Sequence, residues 1–477
     1  MKKLMTLAAL ALPIAAAYAN DALTFDPQKF TAQTVSVNGE SIAYRAYEQI
    51  VYVKNPVDSK YQQMNIYIPE AYFTGQKFNG FTAQTAPIFL PNSIGGYMPA
   101  EPATAAPSAM GPNAGKTSTV AQALAKGFVV AAPAARGRTM TTGKAPAAIV
   151  DLKAAVRYLR FNDKVMFGDA NKIISNGTSA GGAMSALLGA SGNSKDYAPY
   201  LKALGAANAR DDVFAVSAYC PIANLEHADA AYEWQFNGVN DYKKMVFGNM
   251  IDFHMERKEV AGTLTADEIK TSDALAKQFP AYLNSLKLKD ANGQVLSLDA
   301  NGNGSFKDYV SAHIRASAQK ALSQGMDLSA YPSWVKIEKE TVKSVDFDAY
   351  AKTVMRMKTP PAFDAFDLSS GENELFGTET VKAQHFTNYS AQQGAQADPT
   401  IVKLMNPMNY IGTKSAPNWR IRVGTNDRDT SLAISAMMSL KLTNAGKKVD
   451  YALPWGVPHS GDYDLDELFT WMTKISR

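Results

Sequence analysis

One cysteine, Cys220, stands among 477 residues. No disulfide can close within the chain, and the fold has to rest on its core alone. The neighbours of that thiol, Val216-Ser217-Ala218-Tyr219-Cys220-Pro221, read as the end of a buried strand, so we expect a structural thiol and not a nucleophile. Charge is also sparse. Charged residues make up 19% against 46% hydrophobic, which excludes disorder and leaves ample apolar material for a large core. A formal net charge of only +4 gives no basis for a nucleic-acid or polyanionic partner. The apolar run at the N-terminus, Leu4 to Ala17, is interrupted by Pro13 and falls short of the roughly 20 residues that span a bilayer.

What that first segment does contain is Lys2 and Lys3, the short apolar stretch, and a small-x-small site at Ala17-Tyr18-Ala19. This is the pattern of a secretory leader, with cleavage expected after Ala19 and no cysteine for lipid attachment. Its removal takes away two lysines and no acids, leaving a formal charge of +2. The mature chain is expected in the periplasm or outside the cell, without a membrane association.

Short buried-strand patterns recur at Asn65–Ile68, Ala86–Leu90, Phe128–Ala132 and Lys172–Ser175. Between them lie helical patterns such as Ile149–Arg160, whose Ile149, Leu152, Ala155, Val156 and Leu159 share one face. The alternation returns with Trp419–Gly424, a helix Ser431–Asn444, a strand Val449–Leu453 and a closing helix from Leu465. Strands alternating with helices predict an α/β chain with a mainly parallel central sheet. From 224 to 357 the texture changes to aromatic, amphipathic helical segments, including Asp308–Gln324 and Ser344–Met357. We expect an inserted lid there, with the core formed by 20–223 and 358–477. The Ala/Pro-rich stretch Met98–Gly111 reads as a surface loop.

Chemistry concentrates at Asn176-Gly177-Thr178-Ser179-Ala180-Gly181-Gly182, which follows one strand and opens a helix. Strand, G-x-S-x-G, helix is the nucleophile elbow of the α/β-hydrolases. The glycines admit a turn too tight for side chains, Ser179 is exposed at the sheet edge, and the Ala180 N–H at a helix start can stabilise an oxyanion. A serine needs a base, and there are only five histidines: His227, His254, His313, His385 and His459. In this fold the acid and the base follow the last strands in the order Ser, Asp, His. Only His459, in Pro458-His459-Ser460-Gly461, holds that place; His254 and His313 fall in the expected lid and read as surface or helix-packed residues. Two acids follow Trp419–Gly424, namely Asp427 and Asp429. The second oxyanion donor should come from the loop after Ala86–Leu90, where Ile94-Gly95-Gly96 allows close backbone approach and Gly95 is our choice.

Two look-alikes are set aside. Gly111–Thr117 resembles a phosphate loop but is a residue short and follows no strand. Asp299-Ala300-Asn301-Gly302-Asn303-Gly304 matches half a calcium loop, but Val310 stands where the bidentate glutamate belongs, and an Asn-Gly turn is the simpler reading.

With these pieces placed, the chain resembles the bacterial tannases of the second subtype, through Asn92–Met98, Asn176–Gly189, Ala218–Trp234, Lys358–Gly377 and Trp419–Gly461. Enzymes of that family are similar in fold to feruloyl esterases, carry a lid, and split galloyl esters into gallic acid and an alcohol. The resemblance implies Ser179 as nucleophile, Asp427 as the acid that orients His459, and Lys358, Glu372 and Asp429 as the polar end of the pocket. The chemistry suits: carboxylates accept from the three ring hydroxyls, while an ammonium donates to a ring oxygen or stabilises a phenolate. Taken singly, Lys358 and Glu372 would read as solvated surface charges. No metal or organic cofactor is called for. Two other readings have the same triad or scaffold: a feruloyl-type esterase, and a binding protein that keeps a hydrolase fold.

Overall fold

The computed structural model describes residues 22–107, 115–251, 254–331 and 333–477. The expected leader, 1–19, lies outside the described residues, as do 108–114, where the Ala/Pro-rich stretch ends and the Gly111–Thr117 segment begins. Thirteen strands are described: β1 (Thr31–Val37), β2 (Glu40–Val51), β3 (Gln63–Pro69), β4 (Pro87–Pro91), β5 (Val129–Pro133), β6 (Asp169–Thr178), β7 (Ala215–Tyr219), β8 (Asp241–Ile251), β9 (His254–Thr263), β10 (Val335–Glu338), β11 (Thr341–Val345), β12 (Asn418–Arg422) and β13 (Lys448–Ala452). Nine of them form one sheet in the order β1-β2-β3-β5-β4-β6-β7-β12-β13. β1, β2, β3 and β5 pair antiparallel in turn, and β5, β4, β6, β7, β12 and β13 run parallel to one another.

Every residue of β4, β5, β7 and β12 is buried. That is the reason those runs read as continuously apolar: helices cover both faces of the parallel part of the sheet. The expected apolar face of Ile149–Arg160 belongs to the helix Ala147–Phe161, which is buried almost throughout. Packing is close where β7 and β12 meet the helix after the elbow. A Cβ on Gly189 would lie 2.2 Å from Val216 Cγ2 and 3.1 Å from the Trp419 ring, so only glycine lets that helix settle on the sheet.

Between β7 and β12 the chain adds no strand to this sheet. Residues 224–357 form helices Leu225–Phe236, Ala266–Ala276, Phe279–Ser285, Ser305–Ser323 and Phe347–Val354, together with two hairpins, β8/β9 and β10/β11. The two hairpins are not among the helical segments expected there, and His254 stands on β9, not on a helix. The expected helix Ser344–Met357 is also shorter. Asp346 caps it by accepting from Ala349 N at 3.0 Å, so it begins at Phe347. The residues before it pair as a strand across a turn at Lys339 and Glu340, both at positive φ. Such a turn normally calls for Asn or Gly, which is why the sequence did not announce it.

Candidate active site

The elbow is built as its glycines predict. Ser179 sits at φ 62°, ψ −122° between β6 and the helix Ala180–Ala190, a backbone state that β-carbons resist and that functional sites retain. A Cβ on Gly177 would meet Gly181 O at 2.3 Å, and one on Gly181 would meet Asn92 Oδ1 at 2.6 Å and Ile94 O at 2.7 Å. The loop after β4 is thereby held against the elbow. Asn92 Nδ2 fastens it further, donating to Asn176 O (3.0 Å), Gly181 O (3.2 Å) and Ser185 Oγ (2.9 Å). Ala180 is the first residue of its helix, so its N–H has no partner within that helix. Gly95 lies three residues beyond the anchoring Asn92, and a side chain there would meet only open space.

Asp427 and His459 follow β12 and β13 at the same C-terminal edge of the sheet. His459 Nδ1 lies 2.8 Å from Asp427 Oδ2 and 3.9 Å from Asp429 Oδ2. Asp427 is fully buried, and its second oxygen accepts from Asp429 N at 2.9 Å. This separates the two acids that the sequence left open: Asp427 is the ring's hydrogen-bond partner, and Asp429 stands farther off, on the cavity wall. Burial alone would hold the ring neutral, but the Asp427 carboxylate outweighs it and raises the His459 pKa above that of an ordinary histidine. Ser179 and the histidine loop are neighbours: a Cβ on Gly461 would fall on the Thr178 side chain, and Ser179 N donates to Tyr219 O beside Cys220. Among the described residues no hydrogen bond joins Ser179 Oγ to His459 Nε2. Bonds of this kind commonly tighten only around substrate.

The ring's Nε2 instead faces Cys220 Sγ at 3.9 Å, while that thiol contacts Ser460 O at 3.3 Å. Cys220 is buried as expected, yet it adjoins the histidine, which its place at a strand end did not reveal. Its φ of 36° turns the chain out of β7. Burial raises its thiol pKa, so it stays in the protonated form. The other described histidine rings serve packing. His227 stacks on Tyr282 at 3.4 Å, His313 lies between Tyr309 and Tyr451, and His385 bonds to Asp364 at 2.7 Å. The Asp299 carboxylate accepts from Asn301 N (2.8 Å) and Asn303 N (3.0 Å), closing its own turn ahead of a helix.

Lys358, Glu372, Asp429 and His459 share the wall of one cavity of about 1000 Å³. Arg428, Phe366 and the Pro360-Pro361 pair complete much of its wall, and Lys244 and Met245 of β8 close one side. Ser179 is not part of this wall. The Lys358 ammonium lies 3.9 Å from the centre of the Phe363 ring, a cation–π contact. Glu372 is in the first turn of the helix Gly371–Leu375, which Ser370 caps through Asn373 N at 2.9 Å. With Lys244, Arg428, Glu268 and Asp367 also on its wall, the cavity offers several cationic groups and carboxylates beside the His459 ring. Sequence reasoning did not find the β8 contribution.

A family model described as BD-FAE matches residues 108–266. A tannase from Fusobacterium nucleatum is 54% identical with a TM-score of 0.92, over 95% of this chain and 99% of that one. A tannase from Lactobacillus plantarum is 45% identical with a TM-score of 0.91, over 95% and 100%. A tannin acyl hydrolase in complex with ethyl gallate is 46% identical with a TM-score of 0.89, over 95% and 99%. No curated protein sequence matches the chain. Identity of this order across the whole described fold, over a nine-stranded hydrolase sheet, shows that the chain belongs to the tannase family of carboxylic ester hydrolases.

Proposed function

We propose that this protein is an exported serine esterase that hydrolyses galloyl esters, with Ser179, Asp427 and His459 as its triad. The observation that carries the reading is the cavity in which His459 meets Lys358, Glu372 and Asp429. His459 takes the Ser179 hydroxyl proton as the oxygen attacks the galloyl carbonyl, and the carbonyl π pair moves onto oxygen. The N–H groups of Ala180 and Gly95 hold that oxyanion. Collapse breaks the ester C–O bond, and the imidazolium returns its proton to the departing alcohol. Water then attacks the galloyl-serine ester with His459 again as base, releasing gallic acid and restoring the serine. No cofactor takes part.

Recognition is assigned to the ring hydroxyls, with Glu372 and Asp429 accepting their protons and Lys358 donating to oxygen. Each hydroxyl removed leaves a cavity group without its partner, at a cost of about 1–3 kcal/mol. A ferulate ring, with one hydroxyl and a methoxy group, would leave part of the cluster unmatched. Export rests on residues 1–19, which should be absent from the mature chain.

The test is hydrolysis of methyl gallate, methyl protocatechuate and methyl ferulate by wild type and Ser179→Ala. The expected result is a fall in that order for wild type and loss of at least about a thousandfold in the variant. Ferulate as the preferred ester would replace the galloyl reading, and substantial turnover by Ser179→Ala would remove the serine from its role. N-terminal sequencing of exported protein should begin at Asn20.

A further inference from the structure

We infer that Tyr232 is the positioning residue that sets the two halves of the galloyl-recognising cluster at a fixed separation. The inference rests on the proposed assignment of Lys358 and Asp429 to the ring hydroxyls. Those residues come from chain segments some seventy positions apart, and neither lies on a strand of the sheet. Something must hold them in register.

The Tyr232 hydroxyl accepts from Met357 N at 3.0 Å and from Lys358 N at 3.1 Å, and it donates to Arg428 O at 2.9 Å. A phenol has one proton to give and two lone pairs to offer, so these three bonds use its whole capacity. One end of the bridge is the main chain of Lys358 itself; the other is the residue between Asp427 and Asp429. The side chain of Lys358 is referenced to the same tyrosine. Its ammonium rests on Phe363, and the Phe363 ring meets Tyr232 edge-on, 6.3 Å between centres at 86°.

Tyr232 is fully buried and does not line the cavity, so it acts through these neighbours and not on substrate. The helix Leu225–Phe236 repeats the device on the same side. Asp229, one turn earlier, accepts from Phe363 N (2.7 Å) and Asp364 N (3.2 Å). Glu233 pairs with buried Arg356, two residues before Lys358. Gln235 accepts from Leu432 N at 2.8 Å, just beyond Asp429. The helix is thus a splint for both segments, and among the described residues Tyr232 is the one side chain in it that bonds to both at once.

Tyr232→Phe keeps the ring contacts with Phe236 and Phe363 but takes the partner from two part-buried N–H groups and one carbonyl. The expected effect is a fall of about tenfold or more in kcat/KM for methyl gallate, mostly through KM, with methyl benzoate within about twofold of wild type. The advantage of gallate over protocatechuate should shrink with it. Asp429→Asn is the companion variant. Loss of gallate preference in Asp429→Asn but not in Tyr232→Phe overturns the positioning role alone. Retention in both overturns the recognition reading as well. An equal fall for both esters in Tyr232→Phe also overturns the proposal, because the hydroxyl would then be serving the triad or the fold at large. If Tyr232→Phe does not fold, Phe363→Leu decides: it leaves the three hydrogen bonds intact and should still lower gallate preference through Lys358, and an unchanged preference refutes the linkage.

Discussion

Substituting asparagine for Asp427 and, separately, for Asp429 asks the sharpest question of this site, because the two acids are two residues apart and both approach His459. The geometry assigns them different consequences. Asp427 Oδ2 is 2.8 Å from Nδ1, and the side chain is fully buried. At an effective dielectric of about 20, a unit charge at that distance favours the imidazolium by about 6 kcal/mol. An asparagine removes this attraction and no longer dictates which ring nitrogen carries the proton, so the ring can present an N–H to Ser179 where a lone pair is needed. A drop of about 10³ to 10⁴ in kcat follows for every ester, equivalent to roughly 4–5.5 kcal/mol. Asp429 is 3.9 Å from the ring and its side chain keeps 27% of its exposure, where solvent screens the charge to about 1 kcal/mol or less. Asp429→Asn should therefore leave methyl benzoate within about fivefold of wild type while lowering methyl gallate by about 10- to 100-fold, the loss of one hydroxyl's partner. The assay is steady-state kcat and KM for both esters in both variants. Equal slowing of methyl benzoate by the two substitutions would refute the assignment of separate roles.

Three further outcomes are expected. Because Asp427 raises the His459 pKa and the base must be neutral, kcat/KM should climb with pH along an acid limb centred above the ordinary histidine value of about 6.5; in Asp427→Asn that limb should move to lower pH, and an unmoved limb in the pH–rate profile contradicts the coupling. Gly181→Ala places a methyl 2.6 Å from Asn92 Oδ1 and 2.7 Å from Ile94 O, so it should push the Gly95 loop away, costing about a hundredfold in kcat and several degrees in Tm, read by kinetics and thermal denaturation; full activity would show that the loop supplies no donor. Cys220, with its thiol pKa raised by burial, should alkylate slowly with iodoacetamide at pH 8, and because its Sγ lies 3.9 Å from Nε2 the adduct should abolish activity, whereas a modified yet active enzyme by mass spectrometry would remove the thiol from the histidine's surroundings.

Much of the fold was legible because its strands are buried on both faces. Ala86–Leu90, Phe128–Ala132 and Trp419–Gly424 read as strands since nothing polar interrupts the burial of β4 and β5, and β12 reads as one despite Arg420 and Arg422. Those two arginines are tolerated inside because each finds a carboxylate: Arg420 pairs with Asp464, and Arg422 with Asp450 at 2.9 Å. The partners lie 28 to 44 residues downstream, beyond any local pattern. The same limit applies to Arg136 with Asp151 and Lys153 with Asp211, pairs almost wholly buried between helix and loop. Hairpin β8/β9 escaped notice for another reason. Its strands carry Lys243, Lys244 and Glu259 with little regular alternation, so no period of two marked them.

Legibility of the site divides along the same line. The elbow, the acid strand and the histidine loop are dictated locally, by glycines that a turn requires and by chain order along a parallel sheet, so the sequence alone singled out Ser179 and His459 as candidates, and the structure places their loops side by side. The choice between Asp427 and Asp429 turns on about one ångström, and no spacing rule encodes it. Lys358 and Glu372 have no local signature at all: one follows a buried arginine, the other opens a five-residue helix. They are brought to the base by a segment that is pinned through Tyr232, Asp229 and Glu233 of a helix more than a hundred positions earlier. On the proposed assignment, the residues for bond breaking lie in contiguous motifs, whereas those for choosing a ring are held by hydrogen bonds between distant segments. If that assignment holds, substitutions in the 225–236 helix should alter which ester is preferred while leaving Ser179, Asp427 and His459 untouched, and variation in specificity within this fold should be sought there before it is sought at the elbow.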